Sequence, residues 1–266
     1  MSARPLLILD LDETLVSTVS SALFETLPIS SQRMLYSLVD VEMDAPRGSQ
    51  KFVVFKRPFV ETFLNYMARF YRLALWSAGA YPYVRAVVEN VLRPHMHEPF
   101  EFVWSEQHCD NAADFRAADR FPNQRYVKNL ESTGENLART LLVDNSRGNA
   151  ALQLTNHIGV PDFNVRESGA WRDNWLPELA EFLEQLSGVR DVREINKGWW
   201  MTRAPASLVG IQLTVAALTT PPLRIMPKAK SAPHLSVTAM RNWRNKRHHK
   251  RRSPLWIAHS AVSVSD

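Results

Sequence analysis

The chain has 266 residues, 45% of them hydrophobic, and one cysteine, Cys109; a sizeable core is possible, and an internal disulfide framework is excluded. The net charge of +5 conceals a division: residues 190–266 carry 14 Lys and Arg against 3 Asp and Glu, whereas residues 1–189 carry 18 against 24. An acidic domain over 1–189 and a basic, largely disordered extension over 190–266 are expected.

Leu6–Leu9 is an aliphatic run that opens at once into Asp10, Leu11, Asp12, Glu13 and Thr14, as a buried strand does when it delivers carboxylates to a site. Asp10 and Asp12 are two apart, so on an extended chain they point the same way. Carboxylates that close stay ionised only with a cation between them, which suggests a hard divalent ion such as Mg²⁺. Val19 to Gly48 reads as irregular. Lys51–Phe55 is a short strand, and Arg57-Pro58 opens an amphipathic helix with Pro58 in its first turn. Leu73–Trp76 is a buried strand ending in Ser77-Ala78-Gly79, followed by a helix from Tyr83 to Leu92 that Pro94 stops. Phe100–Trp104 alternates like a strand, and 111–124 reads as loop. Leu141–Val143 is a third core strand ending in Asp144-Asn145-Ser146. A helix over Gly148–Thr155, a short strand over Val160–Phe163 and an amphipathic helix from Trp175 to Leu186, ended by Gly188, complete the body.

Strands alternating with helices predict an α/β fold with a parallel sheet. Right-handed crossovers then place Asp10, Ser77 and Asp144 at one sheet edge, where ligands of open α/β sheets bind. Taken singly, each has an ordinary structural reading. Ser77 could cap a helix, Asp144-Asn145-Ser146 could be a turn, and Lys128 could be a solvated lysine.

Taken together and in order, DLDETLV at Asp10, KRPFVETFL at Arg57, WSAG at Ser77, YVKNL at Lys128 and LLVDNS at Asp144 resemble the haloacid dehalogenase superfamily. The closest likeness is to its FCP/SCP branch, phosphatases acting on the RNA polymerase II C-terminal domain, and it covers about residues 5–187. The resemblance implies a Rossmann-like sheet with flanking helices and no large cap domain. It also implies a Mg²⁺-dependent Ser/Thr phosphoprotein phosphatase with an aspartyl-phosphate intermediate. Asp10 would be the nucleophile, Asp12 the acid and base, and Lys128 the group that neutralises phosphate and holds Asp10. Asp10, the Asp12 carbonyl and Asn145 would bind the metal, with Asp144 binding directly or through water. Ser77 and Thr14 would serve phosphate, Tyr83 would line the substrate groove, and Arg116 (or Arg120) would contact phosphate. The chain departs from the pattern at Ser77 (usually Thr), Asn129 (usually Asp) and Arg147 (usually Pro), none of which removes a reacting group.

Two other functions fit the same motifs: a nucleic-acid end phosphatase, and a non-catalytic module like that of mitochondrial import subunits. The run Arg241 to Arg252, RNWRNKRHHKRR, suits a nuclear address, a nucleic-acid contact or a solvated tail. No apolar stretch reaches bilayer-spanning length, since Leu208 to Leu218 is short and interrupted, so no membrane partner is expected. A motif starting at residue 10 leaves no room for a signal or transit peptide, and a nuclear or cytoplasmic protein is expected. Cys109 with His95, His97 and His108 fits no zinc spacing and reads as an ordinary residue.

Overall fold

The computed structural model describes residues 4–43, 48–198 and 200; the expectations for Leu208 to Leu218 and Arg241 to Arg252 lie outside the described residues. Among the described residues ten strands form three sheets: β1 (Leu6–Leu9), β2 (Val16–Ser20), β3 (Tyr36–Glu42), β4 (Ser49–Lys56), β5 (Arg72–Trp76), β6 (Val103–Trp104), β7 (Asp110–Asn111), β8 (Tyr126–Val127), β9 (Thr140–Asp144) and β10 (His157–Gly159). The main sheet has the order β10-β9-β1-β5-β6, and every pairing in it is parallel. The expected α/β architecture is therefore observed, with β1 at the centre.

The interiors of its three central strands are apolar because both faces are covered. Leu7, Leu9, Leu73, Leu75, Leu141 and Val143 face a core shared with the helices Val60–Met67, Tyr81–Val87 and Trp175–Ser187. Leu6, Ile8, Ala74, Trp76 and Leu142 face a second layer of loops and short turns around Leu130 and Ala150. The helix Trp175–Ser187 buries Leu176, Leu179, Ala180, Leu183 and Leu186, the spacing of one helical face, and ends at Gly188 as expected. Packing continues past residue 189, where the charge division places the domain boundary. Val192 is buried, and Trp200 sits edge-on to Trp175 and stacks on Phe182.

Several expected elements move. The segment read as irregular, Val19 to Gly48, holds β3 and the end of β2, which pair with β4 in an antiparallel sheet ordered β2-β4-β3. In β3 the alternation is clear, with Val39 and Val41 buried between exposed Leu38, Asp40 and Glu42; the polar residues mask a half-buried strand. The helix after Arg57 starts at Val60, beyond Pro58, because Phe59 adopts a left-handed φ of 67°. The next helix starts at Tyr81, and its continuation over Val88–Leu92 widens to π geometry. Of the expected Phe100–Trp104 strand Val103–Trp104 is regular, with Glu101 and Phe102 also bonded to Leu73 and Leu75 of β5, and the expected loop at 111–124 holds Asn111 of the short β7–β8 pair and two short helical turns, Ala112–Phe115 and Ala117–Arg120. Gly148–Thr155 is not a helix. Its amides bond three residues back (Ala150 to Arg147, Ala151 to Gly148), and the Asn149 carbonyl accepts from Lys128 N–H at 2.7 Å instead of extending a helical ladder. The last strand is His157–Gly159 rather than Val160–Phe163, set by its register on Leu142–Asp144.

Candidate active site

The C-terminal ends of β1, β5 and β9 deliver Asp10, Ser77 and Asp144 to one edge, as parallel topology requires. Asp10 N–H bonds Val143 O at 2.9 Å, prolonging the sheet by one residue, and Ser77 N–H bonds Trp104 O at 3.0 Å. After Asp10 the chain turns sharply. Glu13 adopts a left-handed φ of 59°, its N–H bonds Val16 O at 2.7 Å, and the turn returns the chain into β2.

Lys128 comes from the opposite layer. It follows β8, and its fully buried ammonium bridges Asp10 Oδ1 and Asp144 Oδ2, each at 2.6 Å. The Asp144 carboxylate is saturated: Ser146 N–H donates to Oδ1 at 2.8 Å, and the Asn149 amide donates to both oxygens at 3.1 and 3.0 Å. Asn149 in turn accepts from the Gln124 amide at 2.6 Å. A Cβ at Gly148 would lie 2.1 Å from Gln124 Oε1, so a side chain there would push Gln124 off Asn149. Asp144 therefore offers no open oxygen for direct metal ligation and acts as the anchor of Lys128.

Asp12 is half-buried, and its carboxylate accepts from the Tyr83 hydroxyl on Oδ1 and from Ser77 Oγ–H on Oδ2 at 3.4 Å. The Tyr83 hydroxyl is taken up by Asp12 and Thr18, and its ring, partly exposed, meets Phe52 edge-on at 5.3 Å. Thr14 is likewise drawn inward. It is fully buried, with its hydroxyl 3.3 Å from both the Asn145 N–H and Asn145 Oδ1, so it braces the two motifs against each other instead of facing phosphate. Arg116 is exposed and, among the described residues, makes no hydrogen bond or ion pair with this cluster; Arg120 lies over Phe121.

Two residues carry more than the sequence indicated. Arg57, 1% exposed, forks onto Asp173 (2.9 and 2.8 Å) and reaches the Thr14 and Pro161 carbonyls. It thereby ties the acidic turn to the loop carrying Asp162. Asp162 accepts from the Asn145 amide at 3.0 Å, beside Glu13 at 3.3 Å. Neither pairing has a local signal, since the partners are more than a hundred residues apart in one case and in an unmotivated loop in the other.

The electrostatics follow from three carboxyl groups facing one ammonium. Burial, opposed by Lys128 and reinforced by Asp144 and Asp12, pushes the Asp10 carboxyl up to about 7. Burial also raises Asp12, against the hydrogen bonds from Tyr83 and Ser77. Burial works to lower Lys128, but Asp10 and Asp144 overcome it and hold the ammonium above the ordinary lysine range. Among the described residues no group of three His, Cys, Asp or Glu converges to hold a metal unaided. A Mg²⁺ ion needs none, because it keeps waters and takes one or two carboxylates plus phosphate oxygens. The second oxygen of Asp10, the Asp12 carbonyl and Asn145 Oδ1 are oxygen donors of that kind, and the surplus negative charge suits a divalent cation. The residues present fit the ion.

Cys109 stands beneath the site, its sulfur accepting from Trp76 Nε1 at 3.3 Å; burial pushes its thiol up to about 11. Native protein at pH 8 should therefore take up iodoacetamide at least about tenfold more slowly than urea-unfolded protein, as followed by mass spectrometry. Equal rates would contradict this environment.

Residues 5–193 match the model of the NLI interacting factor-like phosphatases, and the chain belongs to this family, the FCP/SCP-type branch of the haloacid dehalogenase fold. It is 28% identical over 192 residues to the human carboxy-terminal domain RNA polymerase II polypeptide A small phosphatase 1, covering 71% of this chain and 61% of that one. It is 27% identical over 194 residues to nuclear envelope morphology protein 1 of Schizosaccharomyces pombe, covering 72% and 35%. A match to the mitochondrial import inner membrane translocase subunit tim50 of Emericella nidulans has 32% identity over 149 residues, covering 55% and 25%. The chain thus spans from a quarter to about three fifths of the length of these relatives. Among solved structures, fission yeast Fcp1, an RNA polymerase II CTD phosphatase, aligns over 73% of this chain and 59% of that one, with TM-score 0.45 and 15% identity. No helix among the described residues is long and apolar enough to cross a membrane.

Proposed function

We propose that the protein is a phosphoric monoester hydrolase that removes phosphate from serine or threonine side chains of a protein. The observation that carries this reading is the Lys128 bridge. A fully buried ammonium at 2.6 Å from Asp10 holds one carboxylate oxygen still and offsets its charge, leaving the other to attack phosphorus. In the first step the bond from Asp10 to phosphorus forms as the bond to the seryl or threonyl oxygen breaks, and Asp12 gives its proton to that oxygen. In the second step Asp12 takes a proton from water, which displaces Asp10 and releases inorganic phosphate. Ser77 Oγ–H is placed to bond a phosphate oxygen once substrate displaces its long contact to Asp12. Asp10, the Asp12 carbonyl and Asn145 would hold Mg²⁺, which when bound neutralises the nucleophile and one phosphate oxygen.

The RNA polymerase II C-terminal domain, named in the relatives, is the candidate substrate class. The tim50 relatives favour a second reading, a binding module without turnover. Hydrolysis of 4-nitrophenyl phosphate and of a phosphoserine heptad-repeat peptide, each with 5 mM Mg²⁺ or EDTA, separates the two. The phosphatase reading expects turnover that requires Mg²⁺ and is lost in Asp10→Asn. No turnover of either substrate would leave the binding module.

A pH dependence follows from the raised acids. A carboxyl whose folded value exceeds its unfolded one binds more protons when folded, so its contribution to stability falls as pH rises from about 4 through about 7. Asp12 and Glu13 are raised in the same direction. In EDTA, Tm should fall more between pH 5 and pH 8 in the wild type than in Asp10→Asn, and added Mg²⁺ should shrink that difference. Equal falls in both proteins would refute the electrostatic account.

A further inference from the structure

Tyr83 lies on the helix Tyr81–Val87, between two structures that carry different tasks. Its hydroxyl donates to Asp12 Oδ1 and also lies 2.8 Å from Thr18 Oγ1 on β2. A phenol has one proton, so with that proton on Asp12 the Thr18 hydroxyl is the donor in the second contact. The result is a directed chain from Thr18 to Tyr83 to Asp12, anchored at its far end in the three-stranded sheet. The ring is fixed by Phe52 of β4, the central strand of that sheet, and by Gly79, where a Cβ would come within 3.3 Å of Tyr83 Cδ1.

We propose that Tyr83 is a positioning residue for the proton-transfer step, a refinement that rests on the phosphatase reading above. With Oδ1 held by the phenol, Oδ2 is the oxygen left to carry a proton. Ser77, which leads the chain out of β5, stands on the Oδ2 side at 3.4 Å. The acid thus presents one defined oxygen to the departing group. In the first half-reaction the Oδ2 proton passes to the seryl or threonyl oxygen as its bond to phosphorus breaks, leaving Asp12 as a carboxylate. In the second, Oδ2 recovers a proton from the attacking water. The phenol keeps its own proton and its bond to Oδ1 throughout, so it adds nothing to the proton balance and acts only on orientation. The antiparallel sheet, which contributes no carboxylate to the site, thereby takes part in catalysis through Thr18.

The chemistry supplies a test that a merely structural role would not pass. An aryl oxide such as 4-nitrophenoxide leaves without help, whereas a seryl alkoxide needs the proton. Tyr83→Phe keeps the ring against Phe52 and removes only the hydroxyl. Expected is a rate of the first step, read as the single-turnover release of the leaving group, that falls no more than about threefold for 4-nitrophenyl phosphate but about tenfold or more for a phosphoserine peptide, with peptide binding within about twofold of wild type; hydrolysis of the shared phosphoenzyme, which also uses Asp12, slows equally with either substrate. Thr18→Val, which removes the donor to the phenol oxygen, should show the same split at smaller size, and it keeps the test open should Tyr83→Phe fold poorly. An equal loss in that first step on both substrates, no loss on the peptide, or weaker peptide binding alone would overturn the assignment, the last by making Tyr83 a substrate contact. A wild-type protein inactive on both substrates would instead overturn the phosphatase reading itself.

Discussion

Lys128→Ala is expected to reduce turnover about a thousandfold and to destabilise the fold by about 3 kcal/mol at pH 8. Lys128 is fully buried, and its ammonium is the common partner of Asp10 and Asp144 at 2.6 Å each. Removing it leaves two buried carboxyl groups facing each other without a counter-charge. They respond by taking up protons, so the stability loss should be smaller at pH 5 than at pH 8, and urea denaturation at both values measures it. A protonated Asp10 is also no nucleophile, so the loss of activity should fall mainly on kcat. Lys128→Arg should not rescue it. A planar guanidinium is larger than an ammonium, and a fully buried site already bounded by Asn149 and Ser146 has no room for it without displacing the carboxylates. Near-normal activity in either variant would show that the bridge does not hold the nucleophile.

Trp200→Ala should cost about 3–5 kcal/mol of stability while leaving KM unchanged. Trp200 is 3% exposed, stacked on Phe182 at 6.1 Å and edge-on to Trp175 at 5.7 Å, both on the helix Trp175–Ser187. That helix also accepts the Tyr71 hydroxyl on the Leu183 carbonyl at 2.6 Å, so it closes one face of the main sheet. Lys197 secures the approach, its ammonium donating to the carbonyls of Thr155, Val192 and Ile195. Truncation to an alanine opens a cavity that this rigid frame fills poorly, whereas Trp200→Phe retains most of the ring contact and should cost less than about 2 kcal/mol. Chemical denaturation of the three proteins decides the matter. A chain ending at Gly188 should be less stable still, because it loses Val192, Lys197 and Trp200 together.

The central sheet and the order of its reacting groups are legible from the residues alone. Leu6–Leu9, Leu73–Trp76 and Leu141–Val143 are apolar because both faces of a parallel sheet are covered, and that requirement is written locally, residue by residue. The acids after those strands were legible for the same reason: a strand end places its next side chain at the edge whatever else the chain does. The antiparallel sheet was hidden, because β3 is half exposed and its polar residues mimic a loop. Gly148–Thr155 has helix-forming composition, yet the Asn149 carbonyl is engaged by Lys128 from twenty-one residues earlier.

What each polar group does is set by packing between distant segments. Thr14 turned inward onto Asn145, Asp144 was saturated by Asn149 and Lys128, Tyr83 took hold of Asp12, and Arg57 joined the acidic turn to Asp173. Hydrogen bonds and ion pairs act over about 3 Å whatever the separation along the chain, so no local pattern records them. Apolar burial is a property of a segment and can be read from it; the partner of a buried charge is a property of the packed whole.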